Sequence, residues 1–325
     1  MRLPTIDDIQ AAATRIRPLA VYTPLIESAA LNAQFGGRVL LKLETLQRVG
    51  AFKFRGAYNK ISQLDKAQFP GGVVACSSGN HAQGVADAAT ILGFAATIVM
   101  PHDAPAVKIA RTRALGAEIV AYDRASEDRV AISERLAERL QAAMVPPYDD
   151  LDIVAGQGTA GLEIVQQAAA LGAQPDVVLV PCGGGGLVSG IATAIHATHA
   201  RCRVVAVEPE GFDDTKRSLE SGRRQQNALK SGSICDALLS SQPGVITFAV
   251  SQREGVSGCT VCESDVRAAV RYAFHELKLV VEPGGAVGLA AVLSGAIKAQ
   301  GQVIVCVLSG GNVDPALFAS IIGGN

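Results

Sequence analysis

The sequence contains no tryptophan, and aromatic residues make up only 4% of it. The stacking platforms of single-strand nucleic-acid binders need such side chains. An excess of one charge is also missing, because 29 Lys and Arg residues stand against 30 Asp and Glu residues. A chain with a formal net charge of −1 has no electrostatic attraction for nucleic acid or for an anionic membrane surface. We therefore expect no nucleic-acid partner and no membrane partner.

A disulfide framework and an export signal are not indicated either. The seven cysteines are an odd number and include one in the apolar run Val303–Leu308, which is typical of reduced thiols in a cytosolic protein. Met1–Gln10 carries charged side chains and no apolar stretch, unlike a signal peptide. Val177–Ala200 lacks Asp, Glu, Lys and Arg, but Pro181, four consecutive glycines and two histidines favour a strand, a loop and a helix over a membrane span. We expect a cytoplasmic protein.

Short apolar runs alternate with Gly-rich or polar turns and longer Ala-rich amphipathic stretches, such as the helix-like Arg124–Ala143. The predicted strands are Val73–Cys76, Ala95–Met100, Glu118–Tyr122, Val177–Pro181, Arg203–Val207 and Val303–Leu308. Continuous apolar strands that alternate with helices predict an α/β fold with parallel sheets covered on both faces. A length of 325 residues with 49% apolar side chains allows two compact lobes.

Three loops follow predicted strands and open predicted helices, namely Ser77–Asn80, Gly183–Gly186 and Ser309–Asn312. Ligands of open parallel sheets bind at such loops, at the carboxyl ends of the strands. The four glycines of Gly183–Gly186 are costly in backbone entropy, which indicates that the main chain approaches a ligand closely. Because N–H groups at a helix N-terminus bind anions, this loop predicts a phosphate site. No Lys and Ser/Thr follow in P-loop spacing, so a nucleoside triphosphate is not indicated.

A second glycine pattern, Gly156-Gln-Gly-Thr-Ala-Gly161, matches the dinucleotide fingerprint GxGxxG and has Asp176 downstream. A lone match of this kind is weak. The apolar run before it, Leu151–Ala155, is short, and this unit is not the first of the chain. An NAD-dependent oxidoreductase therefore remains an alternative from a different class.

Lys53 lies between two aromatic residues, Phe52 and Phe54. A lysine in apolar surroundings loses solvation, so its pKa falls and its amine becomes nucleophilic. Among the nine lysines, only Lys42 shares an apolar neighbourhood of this kind. A surface lysine that buries only its aliphatic stem is the alternative interpretation.

Six segments in register carry a family resemblance. They are Ala-Phe-Lys-Phe-Arg-Gly-Ala (51–57), Ser-Ser-Gly-Asn-His-Ala-Gln (77–83), the tetraglycine loop (183–186), Val-Glu-Pro-Glu (207–210), Val-Val-Glu-Pro-Gly-Gly-Ala (280–286) and Leu-Ser-Gly-Gly-Asn-Val (308–313). Together they resemble the fold-type II pyridoxal-phosphate (PLP) enzymes, in the branch of the threonine/serine dehydratases (ammonia-lyases) and serine racemase. The resemblance runs from about Ile9 to Ile321.

The resemblance implies a two-lobed architecture similar to the tryptophan synthase β subunit, in which each lobe is an open, mostly parallel sheet flanked by helices. Residues 1–72 and 146–325 would form a large cofactor-binding domain. Residues 73–145 would form a small, mobile substrate domain. A homodimer is also implied.

The resemblance further implies how the cofactor is held. Lys53 matches the lysine that forms the Schiff base with PLP and takes the α-proton of the substrate. The other implied cofactor contacts are Phe52 against the ring, Asn80 at the phenolic oxygen, Gly183, Gly184, Gly185, Gly186 and Leu187 around the phosphate, and Ser309 at the pyridine nitrogen.

Substrate and metal residues follow in the same way. The residues implied at the substrate carboxylate are Ser77, Ser78, Asn80 and His81. Ser78 matches a second acid/base on the face of the ring opposite Lys53. Apart from the resemblance, a second substrate carboxylate would need a cation, for which Arg129 is the candidate, and an ordinary surface arginine is the alternative interpretation. Glu208, the carbonyl of Phe212 and Asp214 match a divalent cation site, and two carboxylates suit Mg²⁺ or Ca²⁺.

The implied function is a PLP-dependent dehydratase that converts a β-hydroxy L-amino acid of the threonine or serine type to a 2-oxo acid and ammonia by α,β-elimination. Serine racemase and 3-hydroxyaspartate dehydratase are alternatives within the same fold. A non-catalytic PLP carrier would keep the phosphate loop without needing Ser78.

Overall fold

The computed structural model describes residues 1–104, 106–123, 125–229 and 231–324. The strands in this part of the chain are β1 Leu25–Glu27, β2 Arg38–Leu43, β3 Val73–Cys76, β4 Ala96–Pro101, β5 Glu118–Tyr122, β6 Ala143–Met144, β7 Val177–Pro181, β8 Arg203–Pro209, β9 Ser257–Val261 and β10 Val303–Leu308. The α-helices are α1 Ile6–Ile16, α2 Ala29–Phe35, α3 Lys53–Ile61, α4 Asn80–Leu92, α5 Ala106–Ala114, α6 Arg129–Leu140, α7 Leu151–Ala170, α8 Gly186–His196, α9 Asp214–Ser221, α10 Val245–Arg253, α11 Glu263–His275, α12 Pro283–Leu293 and α13 Pro315–Ile322.

The strands form two sheets. The larger has six strands in the order β1-β2-β10-β7-β8-β9, and the smaller has four in the order β5-β4-β3-β6. Neighbouring strands are parallel except β1, which pairs antiparallel with β2. The predicted α/β fold class, with mostly parallel sheets flanked by helices, is confirmed.

Alternate residues of the central strand β7 enter two different cores. Val177 and Leu179 pack in a cluster with α11 and α12, whereas Val178 and Val180 pack in another with α7 and α8. All four side chains are fully buried. Because both faces of the sheet are covered, every position of the strand is apolar, which explains the continuous apolar run in the sequence.

The smaller sheet lies entirely within residues 73–144, and Leu136 and Ala137 of α6 pack with Val74 of β3 on it. Helix α3 precedes the predicted small domain, yet Phe54 and Ile61 also pack in the core of this sheet. The division into residues 1–72 with 146–325 and residues 73–145, and the mobility of the smaller part, remain predictions.

The helix predicted over Arg124–Ala143 is shorter in the structure, and Arg124 itself lies outside the described residues. Helix α6 covers Arg129–Leu140, and the strand β6 follows it. Gln141 adopts a left-handed backbone with φ of 54°, which ends the helix. Sequence periodicity misses β6 because two residues are too few to show an alternation.

The GxGxxG pattern lies inside α7, a helix of 20 residues. A Cβ atom at Gly156 would lie 2.6 Å from the Cα of Gly56, and one at Gly161 would lie 2.8 Å from the Cβ of Ala194. These glycines therefore allow α7 to pack closely against α3 and α8. Because a dinucleotide fingerprint needs a turn between strand and helix, the oxidoreductase alternative has no structural basis.

In the part of the chain that the structure describes, no helix combines the length and hydrophobicity that a bilayer crossing requires.

Candidate active site

A cleft opens at the carboxyl ends of β3, β7 and β10. The sequence-predicted residues that line it are Phe52, Lys53, Ser77, Ser78, Asn80, His81, Arg129, Gly183, Gly184, Gly185, Gly186, Leu187 and Ser309. Glu208, Phe212 and Asp214 do not line this cleft. The three loops selected from the sequence thus converge on one cleft. Two of them follow β7 and β10 of the larger sheet and one follows β3 of the smaller sheet, so the carboxyl ends of strands from both sheets face the same cleft.

Sequence reasoning missed several other lining residues, including Lys108, Pro147, Tyr148, Asp236, Ser240 and Glu282. Glu282 lies in one of the six family-like segments, and an acidic residue within that apolar run was an available signal. Pro147 and Tyr148 interrupt the helix–strand rhythm without any chemical signature. Such residues reach the cleft through tertiary contacts that spacing does not reveal.

Lys53 is the first residue of α3. Its Nζ donates a hydrogen bond to the carbonyl oxygen of Pro147 at 2.6 Å and lies 5.1 Å from the ring centroid of Phe52. Burial lowers the pKa of this amine to about 8. The unprotonated, nucleophilic form is therefore more populated near neutral pH than in an ordinary lysine.

A buried ionic cluster anchors α3 two residues after Lys53. The Arg55 guanidinium, fully buried, pairs with Glu44 at 2.8 Å and with Glu163 of α7 at 2.6 Å. Lys42 of β2, also fully buried, pairs with Glu163 at 2.6 Å. Two cations and two carboxylates from β2, the turn after it, α3 and α7 therefore fix the start of α3 against the large sheet.

The Asn80 side chain is held from both sides at the start of α4. Its Nδ2 donates to Oε1 of Glu282 at 2.6 Å, and its Oδ1 accepts from Nδ2 of Asn312 at 2.8 Å. Burial, and next the charge of Asp236, raise the pKa of Glu282 to about 7. The carboxyl group of Glu282 is therefore partly protonated near neutral pH.

His81 is buried next to Asn80, with 2% of its surface exposed. One ring nitrogen, Nε2, is 2.9 Å from the carbonyl oxygen of Val145, so it carries the proton. Burial, and next the charge of Lys53, lower the pKa of His81 to about 3. Nδ1 is buried with no hydrogen-bond partner among the described residues. The His81 ring is therefore neutral, and its Nδ1 can accept a hydrogen bond.

The tetraglycine loop forms the other side of the cleft. Gly185 has a φ of +92° and precedes α8, which begins at Gly186. The first N–H groups of a helix have no partner within the helix and carry its positive dipole end. A Cβ atom at Gly184 would lie only 2.3 Å from the Tyr148 ring. Gly184 therefore has no room for a side chain, and the N–H groups at the start of α8 are suitable donors for a phosphate group.

Ser309 follows β10 and is 4% exposed. Its carbonyl oxygen accepts a hydrogen bond from the backbone N–H of Phe52 at 3.1 Å. This contact joins the lysine segment to the end of β10. The Ser309 side chain offers a neutral hydroxyl to the cleft, where a carboxylate would offer a negative charge.

Cationic side chains lie at the mouth of the cleft. Arg129 is exposed there and begins α6, which Asp128 caps through the backbone N–H groups of Val130 and Ala131. Nζ of Lys108, on α5, pairs with Oδ2 of Asp236 at 2.5 Å. Lys108 is therefore already compensated by an acidic neighbour, whereas the exposed guanidinium of Arg129 is accessible to a ligand.

Glu208 and Asp214 lie close together outside the cleft. Both carboxyl oxygens of Glu208 accept backbone N–H groups of α9, from Thr215 at 2.9 Å and Lys216 at 2.8 Å. Oδ1 of Asp214 accepts from Asn227, while Oδ2 is buried without a partner among the described residues. Burial, and next the charge of Asp214, raise the pKa of Glu208 well above its usual range, and burial raises the pKa of Asp214 to about 7.

Comparison with known proteins gives this arrangement a family. Residues 16–310 match the family model described as "Pyridoxal-phosphate dependent enzyme". An L-threo-3-hydroxyaspartate ammonia-lyase from Pseudomonas sp is 41% identical over 324 residues, which cover 100% of both chains.

Solved structures agree with the sequence match. A threonine deaminase from the organism abbreviated T.th. has a TM-score of 0.90 and 44% identity, covering 96% of this chain and 99% of that one. Maize serine racemase has a TM-score of 0.92 and 36% identity, covering 99% of this chain and 98% of that one. The chain therefore belongs to the fold-type II pyridoxal-phosphate-dependent enzymes, in the branch that contains ammonia-lyases and serine racemases.

Proposed function

We propose that the protein is a PLP-dependent ammonia-lyase that converts a β-hydroxy L-amino acid to a 2-oxo acid and ammonia. The observation that carries the proposal is the convergence of Lys53, the Ser77–His81 loop and the tetraglycine loop on one cleft. These three parts are a buried amine, a set of donors for a carboxylate and a set of donors for a phosphate.

The cleft residues fit PLP. Gly183–Gly186 and Leu187 would hold the phosphate, Phe52 would lie against the ring, Asn80 would face the phenolic oxygen and Ser309 the pyridine nitrogen. Lys53 would hold PLP until the amino group of the substrate takes its place, which would leave the Lys53 amine free. Once attached to the amino acid, PLP would make the Cα–H bond acidic, because its ring accepts the electrons. The neutral Ser309 hydroxyl does not require the ring nitrogen to be protonated, which keeps this electron withdrawal moderate.

Lys53 is the proposed base for the α-proton. Its lowered pKa of about 8 lies close to neutral pH, where a general base is most effective. The carbonyl of Pro147, which accepts from Nζ at 2.6 Å, would steady the amine before and after it takes the proton. Lys53 is half-buried in the cleft, which limits the access of bulk water to the amine.

The Ser77–His81 loop is the proposed site of the substrate's α-carboxylate. Hydroxyl groups and the first N–H groups of α4 are suitable donors for a carboxylate. His81 remains neutral because the pKa of its ring is about 3, so it adds no charge there. Ser78 is the proposed second acid/base, and closure of residues 73–145 would bring it towards the substrate.

Among β-hydroxy amino acids, we propose 3-hydroxyaspartate as the preferred substrate, with threonine and serine as weaker ones. Two relatives that are 41% and 40% identical over the whole chain, from Pseudomonas sp and Saccharomyces cerevisiae, are L-threo-3-hydroxyaspartate ammonia-lyases. The exposed guanidinium of Arg129 at the mouth of the cleft suits a second carboxylate. Serine racemization is the second candidate, supported by racemase relatives that are 38% and 36% identical.

Changing Arg129 to Gln should lower kcat/KM for 3-hydroxyaspartate by about tenfold or more, since a hydrogen bond to a charged group contributes about 1.5–3 kcal/mol. Activity with L-serine, which has no second carboxylate, should change by less than about threefold. Ammonia release from L-serine, L-threonine and both 3-hydroxyaspartate diastereomers measures the effect. Arg135→Gln, at an exposed position of the same helix, is the matched control. If kcat/KM fell equally for serine and for 3-hydroxyaspartate, Arg129 would not be the residue that recognises the second carboxylate.

We also propose a divalent cation, Mg²⁺ or Ca²⁺, bound by Glu208, the Phe212 carbonyl and Asp214. The described residues contain no group of three or more His, Cys, Asp or Glu that could bind a metal, so backbone oxygen and water would complete the shell. The buried, partnerless Oδ2 of Asp214 and the mutual charge of two buried carboxylates fit a cation.

Chelation should therefore lower the melting temperature and the rate, and Mg²⁺ or Ca²⁺ should restore both. The physical reason is that a cation bound only by the folded protein adds its binding free energy to the stability, and chelation removes that contribution. Thermal unfolding with and without chelator is the measurement. Asp214→Asn removes one charge and should make unfolding insensitive to chelation. If the chelator changed neither the melting temperature nor the rate of the wild-type protein, the cation proposal would be contradicted.

A homodimer and a cytoplasmic location complete the proposal. The family resemblance supports the homodimer. Six cysteines from Cys182 to Cys306 are free thiols, which supports a reducing compartment.

A further inference from the structure

Three consecutive residues, Pro147, Tyr148 and Asp149, contact both parts of the proposed cofactor site. The Pro147 carbonyl accepts the hydrogen bond from Lys53 Nζ at 2.6 Å. The Tyr148 ring packs directly on Gly184, where a Cβ atom would lie 2.3 Å from it. The lysine and the phosphate loop are 130 residues apart in the chain, and this short segment connects them in space.

Asp149 anchors the segment to α10. Its Oδ2 accepts the backbone N–H of Val245 at 2.8 Å, and its Oδ1 accepts those of Ile246 at 2.7 Å and Thr247 at 3.3 Å. The residue before the helix is Gly244, which has no side chain to cap it. A Cβ atom at Gly244 would lie 2.4 Å from Oδ1 of Asp149. Asp149, which belongs to a distant segment of the chain, therefore provides the N-terminal cap of α10 that Gly244 cannot provide.

The start of α10 in turn holds the tetraglycine loop. Oγ1 of Thr247 donates to the carbonyl oxygen of Gly184 at 2.7 Å, and the N–H of Gly244 donates to the same oxygen at 3.3 Å. A Cβ atom at Gly185 would lie 3.0 Å from Thr247. Any shift of the first turn of α10 would therefore move the peptide between Gly184 and Gly185.

We propose that Pro147–Asp149 is a brace that sets the distance between the Lys53 amine and the phosphate-binding loop, and that Asp149 is the positioning residue that anchors it. Asp149 does not line the cleft, so it acts through α10 and the glycine loop and not on substrate. The inference rests on the proposed function, because it concerns how the same chain holds both ends of PLP.

The brace makes a prediction about two ligands of the full-length protein. PLP uses both ends of the site, whereas pyridoxal, which lacks the phosphate, uses Lys53 and the ring contacts but not the tetraglycine loop. Asp149→Ala and Thr247→Val should each weaken PLP binding about tenfold, the size of a lost helix cap or buried hydrogen bond. Pyridoxal binding should change by less than about threefold. Visible absorbance during titration with each ligand gives both dissociation constants.

The two substitutions should also be coupled. Because Asp149 and Thr247 act along one chain of contacts, the double variant should lose much less than the product of the single losses. Asp314→Ala is the matched control, since Asp314 caps α13 through the N–H groups of Ala316 and Leu317 and does not line the cleft. The control should keep the wild-type affinity for PLP.

Distinct results separate the two proposals. Wild-type protein that binds neither ligand would overturn the proposed function itself. The brace proposal would be overturned if the wild type binds PLP and the folded variants bind it with unchanged affinity. It would also be overturned if the variants lose affinity for PLP and for pyridoxal to the same degree. If Asp149→Ala does not fold, Asp149→Asn and the nearly isosteric Thr247→Val carry the same test. A lower melting temperature with unchanged affinities for both ligands would indicate a purely structural cap and would also overturn the brace.

Discussion

Lys53→Ala should abolish both turnover and the covalent retention of PLP. The variant loses the amine placed in the cleft beside Phe52 and the Pro147 carbonyl. Loss of the base alone should reduce the rate by on the order of 10²–10⁴-fold, and loss of the covalent attachment adds to this. The measurements are ammonia release and the visible absorbance of PLP bound to a lysine after gel filtration.

Lys298→Ala is the control for this experiment, because Lys298 is exposed and does not line the cleft. It should behave as wild type in both assays. Retention of lysine-bound PLP by Lys53→Ala would transfer the role to another lysine. Lys108 would then be the first to examine, since it also lines the cleft.

The second large effect concerns Ser78 and separates elimination from racemization. For an L-substrate, Lys53 alone can remove the α-proton from its own face of the cofactor. Conversion between enantiomers, or reaction of a D-substrate, also needs an acid/base on the opposite face. Ser78→Ala should therefore keep a measurable share of L-elimination but lose D-substrate turnover and any racemization by on the order of 10²–10⁴-fold.

Ser77→Ala is a matched control for Ser78→Ala. Both serines belong to the loop that lines the cleft, but Ser77 is proposed only to bind the carboxylate. Ser77→Ala should weaken the binding of L- and D-substrates to a similar degree. Chiral analysis of residual serine, together with ammonia release, distinguishes the two variants. If Ser78→Ala kept the wild-type turnover of D-substrates, Ser78 would not be an acid/base and would only be part of the loop that precedes α4.

Part of this site could be predicted from its glycines. Gly183–Gly186 is costly in backbone entropy, so four glycines after a buried strand indicate a close approach to the main chain. In the structure, the Tyr148 ring makes such an approach at Gly184. The pattern Gly156–Gly161 has a similar sequence, but it lies inside α7 and allows that helix to pack closely against α3 and α8. Spacing alone cannot separate these two uses of glycine. The difference lies in whether a strand or a helix surrounds the motif.

Other parts of the site could not be predicted, because they depend on contacts between distant segments. Glu282 reaches Asn80 across 202 positions of the chain, and Asp149 reaches the first residue of α10 across 96 positions. Among the described residues, neither side chain has a hydrogen-bond partner within its own segment that would identify it. The raised pKa of Glu282, about 7, likewise results from burial and from Asp236, which only the folded chain brings together.

The ionic cluster around Arg55 also bears on how the site assembles. Its four charges come from β2, the turn after it, α3 and α7. A single one of them buried without its partners would be strongly unfavourable, so these segments must dock together. Helix α3 carries Lys53 at its first residue. A chain whose large sheet has not yet formed therefore has no buried lysine of lowered pKa, and the reactive amine appears only when these segments have assembled cooperatively.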